Sequence, residues 1–141
     1  AALTAEAVTV ALTAGERTET RVLAQALAAS LAKRPQMLKL LAMNLYDIEE
    51  NSRMERLVDF KRVYGASIRA VEACLARLVP PMDRAEQETF LYSFFPFVYG
   101  IYPYAVATEK QSGAMVQAQV PMTLRPVCEI ALTGIKKLLG V

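Results

Sequence analysis

The chain has 141 residues, of which 54% are hydrophobic and 21% charged, and it contains no histidine and no tryptophan. This length corresponds to one globular domain that can bury a sizeable core without disulfides or metals. The absence of histidine excludes Ser-His-Asp and Cys-His catalysis and histidine-ligated zinc sites. A net charge of +2 is too small to indicate a nucleic-acid surface.

The two cysteines, Cys74 and Cys128, lie far apart in apolar stretches and have no C-x-x-C spacing. Because free cysteine is among the most buried residue types, we expect both to be reduced thiols in the core. No pair of carboxylates has a spacing typical of catalysis, and neither cysteine has a neighbouring base. We therefore expect no catalytic residue, no metal and no cofactor. No signal-peptide pattern is present, and we expect a cytoplasmic protein.

Alanine, leucine, arginine, glutamate and methionine dominate the chain and predict helices almost throughout. The first clear helix covers residues 18–33, and Pro35 begins a second one that runs to about residue 50. Residues 52–80 form a long third helix, which starts at the capping box Ser52–Glu55 and ends at the paired prolines. The apolar stripe of the first helix consists of Val22, Leu23, Ala26, Leu27, Ser30 and Leu31.

Asp83 and Glu86 repeat the capping-box signal and begin a helix over about residues 83–108. Residues 110–119 are rich in Gln, Ser and Gly, which indicates a connection. A last helix follows over about residues 121–139, with Gly140 at its end. The sequence therefore predicts a single all-α domain, a helical bundle over residues 1–141.

Six tyrosines and five phenylalanines are present, and eight of these eleven fall within residues 90–104. Residues 90–108 also carry no charge, a length that reaches the threshold for a membrane span. Pro96, Gly100 and Pro103 interrupt the segment, and its tyrosines and serines dilute its hydrophobicity, so we expect no membrane partner. A helix that is apolar all round must be covered by its own domain or by a second copy.

Neighbouring helices add a second group of aromatic and sulfur side chains: Met43 and Tyr46, then Phe60 and Tyr64. Methionine repacks easily and a buried tyrosine hydroxyl needs a partner, which suits an adaptable pocket for a mostly apolar molecule. The alternative is that these aromatic residues are only core. The acidic run that begins at Asp47 is typical of a solvated helix end, while attraction of a cationic ligand by Asp47 stays open.

Two stretches resemble a known family. NLYDIEENSRMERLVDFKR, residues 44–62, is similar to the join between two central helices of the regulatory domain in tetracycline-repressor-type (TetR family) transcription regulators. LVPPMDRAEQETFLYSFFPFVYGIYPYA, residues 78–105, resembles the family's next helix, including an apolar run broken by Gly100 and Pro103. The resemblance spans about residues 16–141.

The resemblance implies a C-terminal ligand-binding and dimerisation domain, with the last two long helices forming a four-helix bundle between two copies. Residues 1–14 resemble the end of the connecting helix. No helix-turn-helix precedes residue 1, so we expect this chain not to bind operator DNA by itself. The implied ligand-binding residues are Met43, Tyr46, Phe60, Tyr64, Phe94, Phe97, Val98 and Ile101. The implied dimer-interface residues are Tyr102, Val106, Leu124, Val127, Ala131, Ile135 and Leu138.

The implied mechanism is an equilibrium between two dimer shapes, of which one binds a palindromic operator. A small effector that fits the other shape better would release the DNA. Two alternatives stay open. One is a ligand-free dimeric helical scaffold or interaction domain, and the other is an enzyme that uses Tyr46, Tyr64 or Cys74 without histidine.

Overall fold

The structure is a computed structural model that describes residues 20–79 and 82–141. In this part of the chain eight helices hold 79% of the residues and no strand is present, so the all-α prediction is confirmed. The helices are α1 (Thr20–Ala32), α2 (Pro35–Ala42), α3 (Leu45–Glu50), α4 (Met54–Leu78), α5 (Arg84–Gly100), α6 (Tyr102–Ala105), α7 (Glu109–Gln117) and α8 (Val127–Leu139).

The most extensive helix contact joins α1 to α8. A Leu-Ala pair recurs every four residues along α1. The buried Ala24 and Ala28 have small side chains, which let the neighbouring backbone approach closely. On α8 the side chains of Ala131 and Ile135 have 0% exposure. The predicted stripe of α1 is confirmed at Leu23, Leu27, Ser30 and Leu31, which are all buried.

Helix α5 lies across this pair and contacts α2, α4 and α8. Its start is the predicted one: the Asp83 carboxylate accepts from the backbone N–H of Glu86, and the Glu86 side chain accepts from the backbone N–H of Asp83. The predicted capping box at the start of α4 is wrong. The hydroxyl of Ser52 donates to the carbonyl of Ile48 at 2.6 Å instead, and Arg53 stands at the N-cap.

The second predicted helix is divided into α2 and α3. Met43 has an extended backbone with ψ of 162°, and Asn44 caps the new helix with its side chain donating to the carboxylate of Asp47. Asparagine favours helix starts over helix interiors because its side chain bonds locally. Because of this break, residues 43–46 do not continue the face of α2, as they would in one continuous helix.

The helix predicted over residues 83–108 is also divided, because α5 ends at Gly100 and α6 places Pro103 in its first turn. Proline fits there since the N–H it lacks has no partner in a first turn. Residues 110–119, predicted as a connection, lie largely in α7. Thr108 and Gln111 form a second capping box that begins α7.

The last helix begins at Val127 and not near residue 121, because Pro126 disfavours helical backbone at Arg125 and itself stands at the N-cap. Its end is confirmed at Gly140, whose φ of 74° lies in the left-handed region that glycine adopts freely. Both cysteines are free as predicted, but only Cys74 is buried, since Cys128 lies on the exposed side of α8.

Among the described residues no helix is long and apolar enough to cross a membrane. The same residues contain no group of His, Cys, Asp or Glu that could hold a metal ion. The predictions for residues 1–14, for the start of the first helix before residue 20 and for the prolines at 80 and 81 lie outside the described residues.

Candidate ligand cavity and apolar surface

A cavity of about 290 Å³ lies between α1, α2, α4 and α5. Almost all of its wall is apolar or aromatic. Arg34 is the one lining side chain, among those described, that is charged at neutral pH. The lining residues are Leu27, Leu31, Arg34, Met37, Leu41, Phe60, Val63, Tyr64, Ser67, Val71, Phe94, Phe95, Val98 and Tyr99.

Helical spacing explains why α4 and α5 form two of the walls. On α4 the lining residues stand at positions 60, 63, 64, 67 and 71, a spacing that places them on one face of the helix. On α5 two adjacent pairs one turn apart, residues 94–95 and 98–99, face the cavity. The wall of α4 runs from the more exposed first half of that helix, where Val63 is 53% exposed, to the buried Val71 in its second half.

A continuous row of aromatic rings runs along the cavity from α4 to α5. Phe60 stacks on Tyr64 with ring centroids 6.5 Å apart, and Tyr64 meets Phe95 edge to face at 5.3 Å. Phe95 meets Phe94 at 5.3 Å, and Phe94 stacks on Phe90 at 5.4 Å. Such contacts add to the stability from burial alone and hold the rings in place.

Two tyrosine hydroxyls come together at this row. Burial is the largest of the causes that together raise the pKa of Tyr99 to about 12. The others are its electrostatic and hydrogen-bonding interactions with Tyr64 and the nearby Glu49 carboxylate. Glu49 itself is paired with Lys61, whose Nζ lies 2.8 Å from Oε1. The same ammonium lies 5.7 and 5.8 Å from the ring centroids of Phe60 and Tyr64.

Arg34 follows the end of α1 and is held by that helix. Its Nη1 donates to the backbone carbonyl of Ser30 at 2.7 Å and to the Ser30 hydroxyl at 2.8 Å. This explains why Ser30, although polar, is buried within the apolar stripe of α1. The guanidinium is therefore engaged by the protein where it borders the cavity.

Of the predicted ligand-binding residues, Phe60, Tyr64, Phe94 and Val98 line the cavity. The others do not. Met43 and Tyr46 are 53% and 77% exposed, because the break at Asn44 turns them away. Phe97 faces α8 and Ile101 lies in the core, since both are on the other side of α5.

Sequence reasoning missed most of the cavity wall. For Val63, Ser67 and Val71, helical spacing from the predicted Phe60 and Tyr64 was a usable signal. Tyr99 and Phe95 lie where α5 is apolar on all sides, so the sequence did not indicate which face of this helix lines the cavity. Four further missed residues, Leu27, Leu31, Met37 and Leu41, belong to apolar faces that the prediction assigned to the core. The last is Arg34, which lies between the first two predicted helices.

The predicted interface residues are spread over three environments. Ala131 and Ile135 have 0% exposure within a single copy, so they offer no surface to a partner. Tyr102, Val127 and Leu138 are half-buried. Val106 and Leu124 are exposed, and they lie in the segment before α8, whose exposed apolar and aromatic side chains are Tyr104, Val106, Val116, Val120, Met122 and Leu124. We refer to these six side chains as the apolar surface.

The two ends of the apolar surface are joined by the backbone. The N–H of Arg125 donates to the carbonyl of Tyr104 at 3.3 Å, which brings Leu124 back beside α6. Exposed apolar patches of this kind are typical of interaction sites.

Residues 1–126 match the protein family described as tetracyclin repressor-like, C-terminal domain. The chain belongs to this family. Domains of this TetR-like family are regulatory and non-enzymatic, and they typically dimerise and bind small effectors. Residues 127–141, which include α8, lie beyond the matched part. No curated protein and no solved structure matches the chain.

Proposed function

We propose that this TetR-like domain is the effector-binding and dimerisation domain of a cytoplasmic DNA-binding transcriptional repressor. A small, mostly apolar or aromatic ligand occupies the cavity and moves the dimer away from its operator-binding shape. The observation that carries the proposal is the aromatic-walled cavity of about 290 Å³ in a TetR-like domain. This volume is near the lower end of the range of roughly 300–1,000 Å³ typical of ligand pockets.

The walls of the cavity suggest how a ligand acts at a distance. Leu27 and Leu31 line the cavity on one side and belong to the α1 stripe that packs on α8. A ligand that fits one arrangement of α1, α4 and α5 better than another shifts the equilibrium by its differential affinity. In the proposed repressor, DNA binding belongs to a helix-turn-helix domain.

The apolar surface supports the dimerisation half of the proposal. Tyr104, Val106 and Leu124 lie together through the backbone contact between residues 104 and 125. We propose that this surface, with the half-buried Tyr102, Val127 and Leu138 beside it, meets the same surface of a second copy. An interface of this composition has an apolar centre and few charges, as stable homodimers do.

A thermal-shift and native-mass experiment on the whole chain tests the proposal. With N-phenyl-1-naphthylamine, an uncharged aromatic probe, at about 100 times its Kd, binding to the native state adds about 2.7 kcal/mol. For a domain of this size that raises Tm by several degrees. Native mass spectrometry of the same sample should give a dimer, with or without retained ligand.

Val71→Leu supplies the cavity-filling variant. Val71 is buried and lines the cavity, so one added methylene narrows it, and we expect weaker probe binding with stability unchanged or raised by about 0.5–1 kcal/mol. Val58→Leu, on the same helix at a side chain that is 37% exposed and does not line the cavity, is the matched control and should bind the probe as the natural chain does. Equal probe affinity in both variants would place the ligand outside this cavity.

The second candidate is a ligand-free dimeric scaffold, which the exposed apolar surface favours by itself. In that case the chain is a dimer, and no member of a broad apolar library raises Tm. The repressor mechanism has its own test in the full-length parent protein. A ligand that binds the parent tightly without changing its operator affinity would contradict the proposed shift in dimer shape.

A further inference from the structure

We propose that the cavity selects an uncharged aromatic molecule that carries a hydroxyl or carbonyl group, and that the hydroxyls of Tyr64 and Tyr99 recognise this group. The inference rests on the proposed function, because it concerns the ligand of the same cavity. Beyond the proposed function, it specifies a polar group on the ligand and the two residues that bind this group. Tyr99 is thereby a specificity-determining residue that the sequence did not reveal.

The aromatic part of the ligand follows from the wall. Phe60, Tyr64, Phe94, Phe95 and Tyr99 all line the cavity, and the first four are joined by ring contacts with centroids 5.3–6.5 Å apart. A flat aromatic molecule can stack on such rings or meet them edge to face. The volume of about 290 Å³ fits a compact ligand of two or three fused rings better than a long chain.

The two cationic side chains beside the cavity, Arg34 and Lys61, already have partners in the protein, which favours an uncharged ligand. Arg34 donates through Nη1 to both the carbonyl and the hydroxyl of Ser30. At the Tyr64 end, Lys61 is paired with Glu49 at 2.8 Å. No carboxylate is present among the described lining residues, so a buried cation would have no counter-ion in the wall. An anion would have to compete with the bonds that already hold Arg34.

The polar group of the ligand is assigned by the hydroxyls that line the cavity. Ser67 already donates to the carbonyl of Val63 at 3.1 Å. Tyr64 and Tyr99 both line the cavity and interact with each other, and a pair of phenols that bond to each other still has one O–H and several lone pairs to offer. A tyrosine hydroxyl is protonated at neutral pH, so both can donate to a ligand, and the Glu49 carboxylate disfavours negative charge at Tyr99.

Three probes of one shape test the inference on the whole chain: naphthalene, 2-naphthol and 2-naphthoate, titrated by fluorescence at neutral pH. We expect 2-naphthol to bind about two- to ten-fold more tightly than naphthalene, the gain from one net hydrogen bond. Tyr99→Phe should abolish or reverse this preference while leaving naphthalene affinity within about two-fold, because the ring and its packing remain. Tyr64→Phe is the second variant and should act in the same direction.

Tyr92→Phe is the matched control. It removes a hydroxyl from the same helix, but Tyr92 is 84% exposed and does not line the cavity, so the preference for 2-naphthol should be retained. Far-ultraviolet circular dichroism of each variant confirms that the helices are intact before the affinities are compared.

Two outcomes would overturn the inference and leave the proposed function standing. One is naphthalene binding with a 2-naphthol preference that neither Tyr99→Phe nor Tyr64→Phe changes. The other is 2-naphthoate binding more tightly than 2-naphthol, with the difference lost in Arg34→Met, which would identify an anionic ligand. If none of the three probes binds and N-phenyl-1-naphthylamine also fails to bind, the inference and the proposed function fall together.

Discussion

The two sides of α5 are packed in opposite ways. Toward α8, the ring of Phe97 lies so close to Gly134 that a Cβ on the glycine would stand 2.3 Å from the ring's Cζ. Toward α4, Phe94, Phe95 and Tyr99 border a cavity of about 290 Å³. One helix thus has a filled face and an open face, although its sequence is apolar on both.

The difference separates what folds the domain from what serves its ligand. The filled side joins α5 to the α1–α8 contact, where the largest fully buried side chains include Leu23, Leu27 and Ile135. On the open side the cavity replaces side-chain contacts that a fully packed core would make. Natural protein interiors contain few such voids. Substitutions on the filled side should therefore affect stability, and those on the open side should affect binding.

Ile135→Glu should have the largest effect. Ile135 has 0% exposure within one copy, so the substitution buries an unpaired carboxylate in the core. We expect a loss of about 3–5 kcal/mol in the free energy of unfolding, measured by urea denaturation. Thr133→Glu places the same charge on the exposed side of α8 and should change stability by less than about 0.5 kcal/mol. A stable, folded Ile135→Glu chain would mean that α8 does not pack as described.

Leu124→Glu should break the proposed dimer without unfolding the domain. Leu124 is 42% exposed in one copy and would be desolvated in a dimer. We expect association to weaken by about 2 kcal/mol or more, roughly 30-fold in Kd, measured by sedimentation equilibrium. Thr123→Glu, at the neighbouring exposed position, is the control. An unchanged dimer would place the interface elsewhere, and a natural chain that stays monomeric at high micromolar concentration would contradict dimerisation itself.

Gly134→Ala tests the filled face of α5 directly. The added Cβ collides with the Phe97 ring, at a cost of about 1–3 kcal/mol for overpacking, which outweighs the roughly 1 kcal/mol that alanine gains over glycine in a helix. Gly113→Ala in α7 meets no atom within 4 Å and should be stabilising by about 0.5–1 kcal/mol. Opposite signs in thermal denaturation confirm the close contact, and equal signs refute it.

The sequence predicted features that depend on local chemistry better than the continuity of the helices. The stripe of α1, the capping box of Asp83 and Glu86 and the glycine stop at residue 140 are of this kind and are confirmed. The predicted capping box at Ser52–Glu55 fails because the Ser52 hydroxyl has a competing acceptor in the carbonyl of Ile48. Local motifs of this kind cannot reveal which acceptor the fold brings close.

The cavity was predictable only in part, for a physical reason. Periodicity placed Phe60 and Tyr64 on one face of α4, and the structure brings both into the wall. Between Phe90 and Tyr99 of α5 nearly every side chain is apolar or aromatic, so periodicity cannot distinguish the face toward α4 from the face toward α8. The prediction therefore named Phe97, which packs on Gly134, and missed Tyr99, which lines the cavity.

The smallest expected effect is a pH dependence of stability that arises from Tyr99, on the open face of α5. Its pKa is about 12 in the folded chain against the ordinary 10, so folding strengthens the binding of the phenolic proton. The stability this contributes is complete below pH 10 and falls as the pH rises toward 12. Because Tyr99 is only half-buried, solvent screens much of the effect. Tyr99→Phe should remove tyrosinate absorbance that develops near pH 12 in the natural chain. If the titration near pH 12 survives in Tyr99→Phe, another tyrosine holds that proton, and burial beside Tyr64 does not raise the pKa of Tyr99 as described.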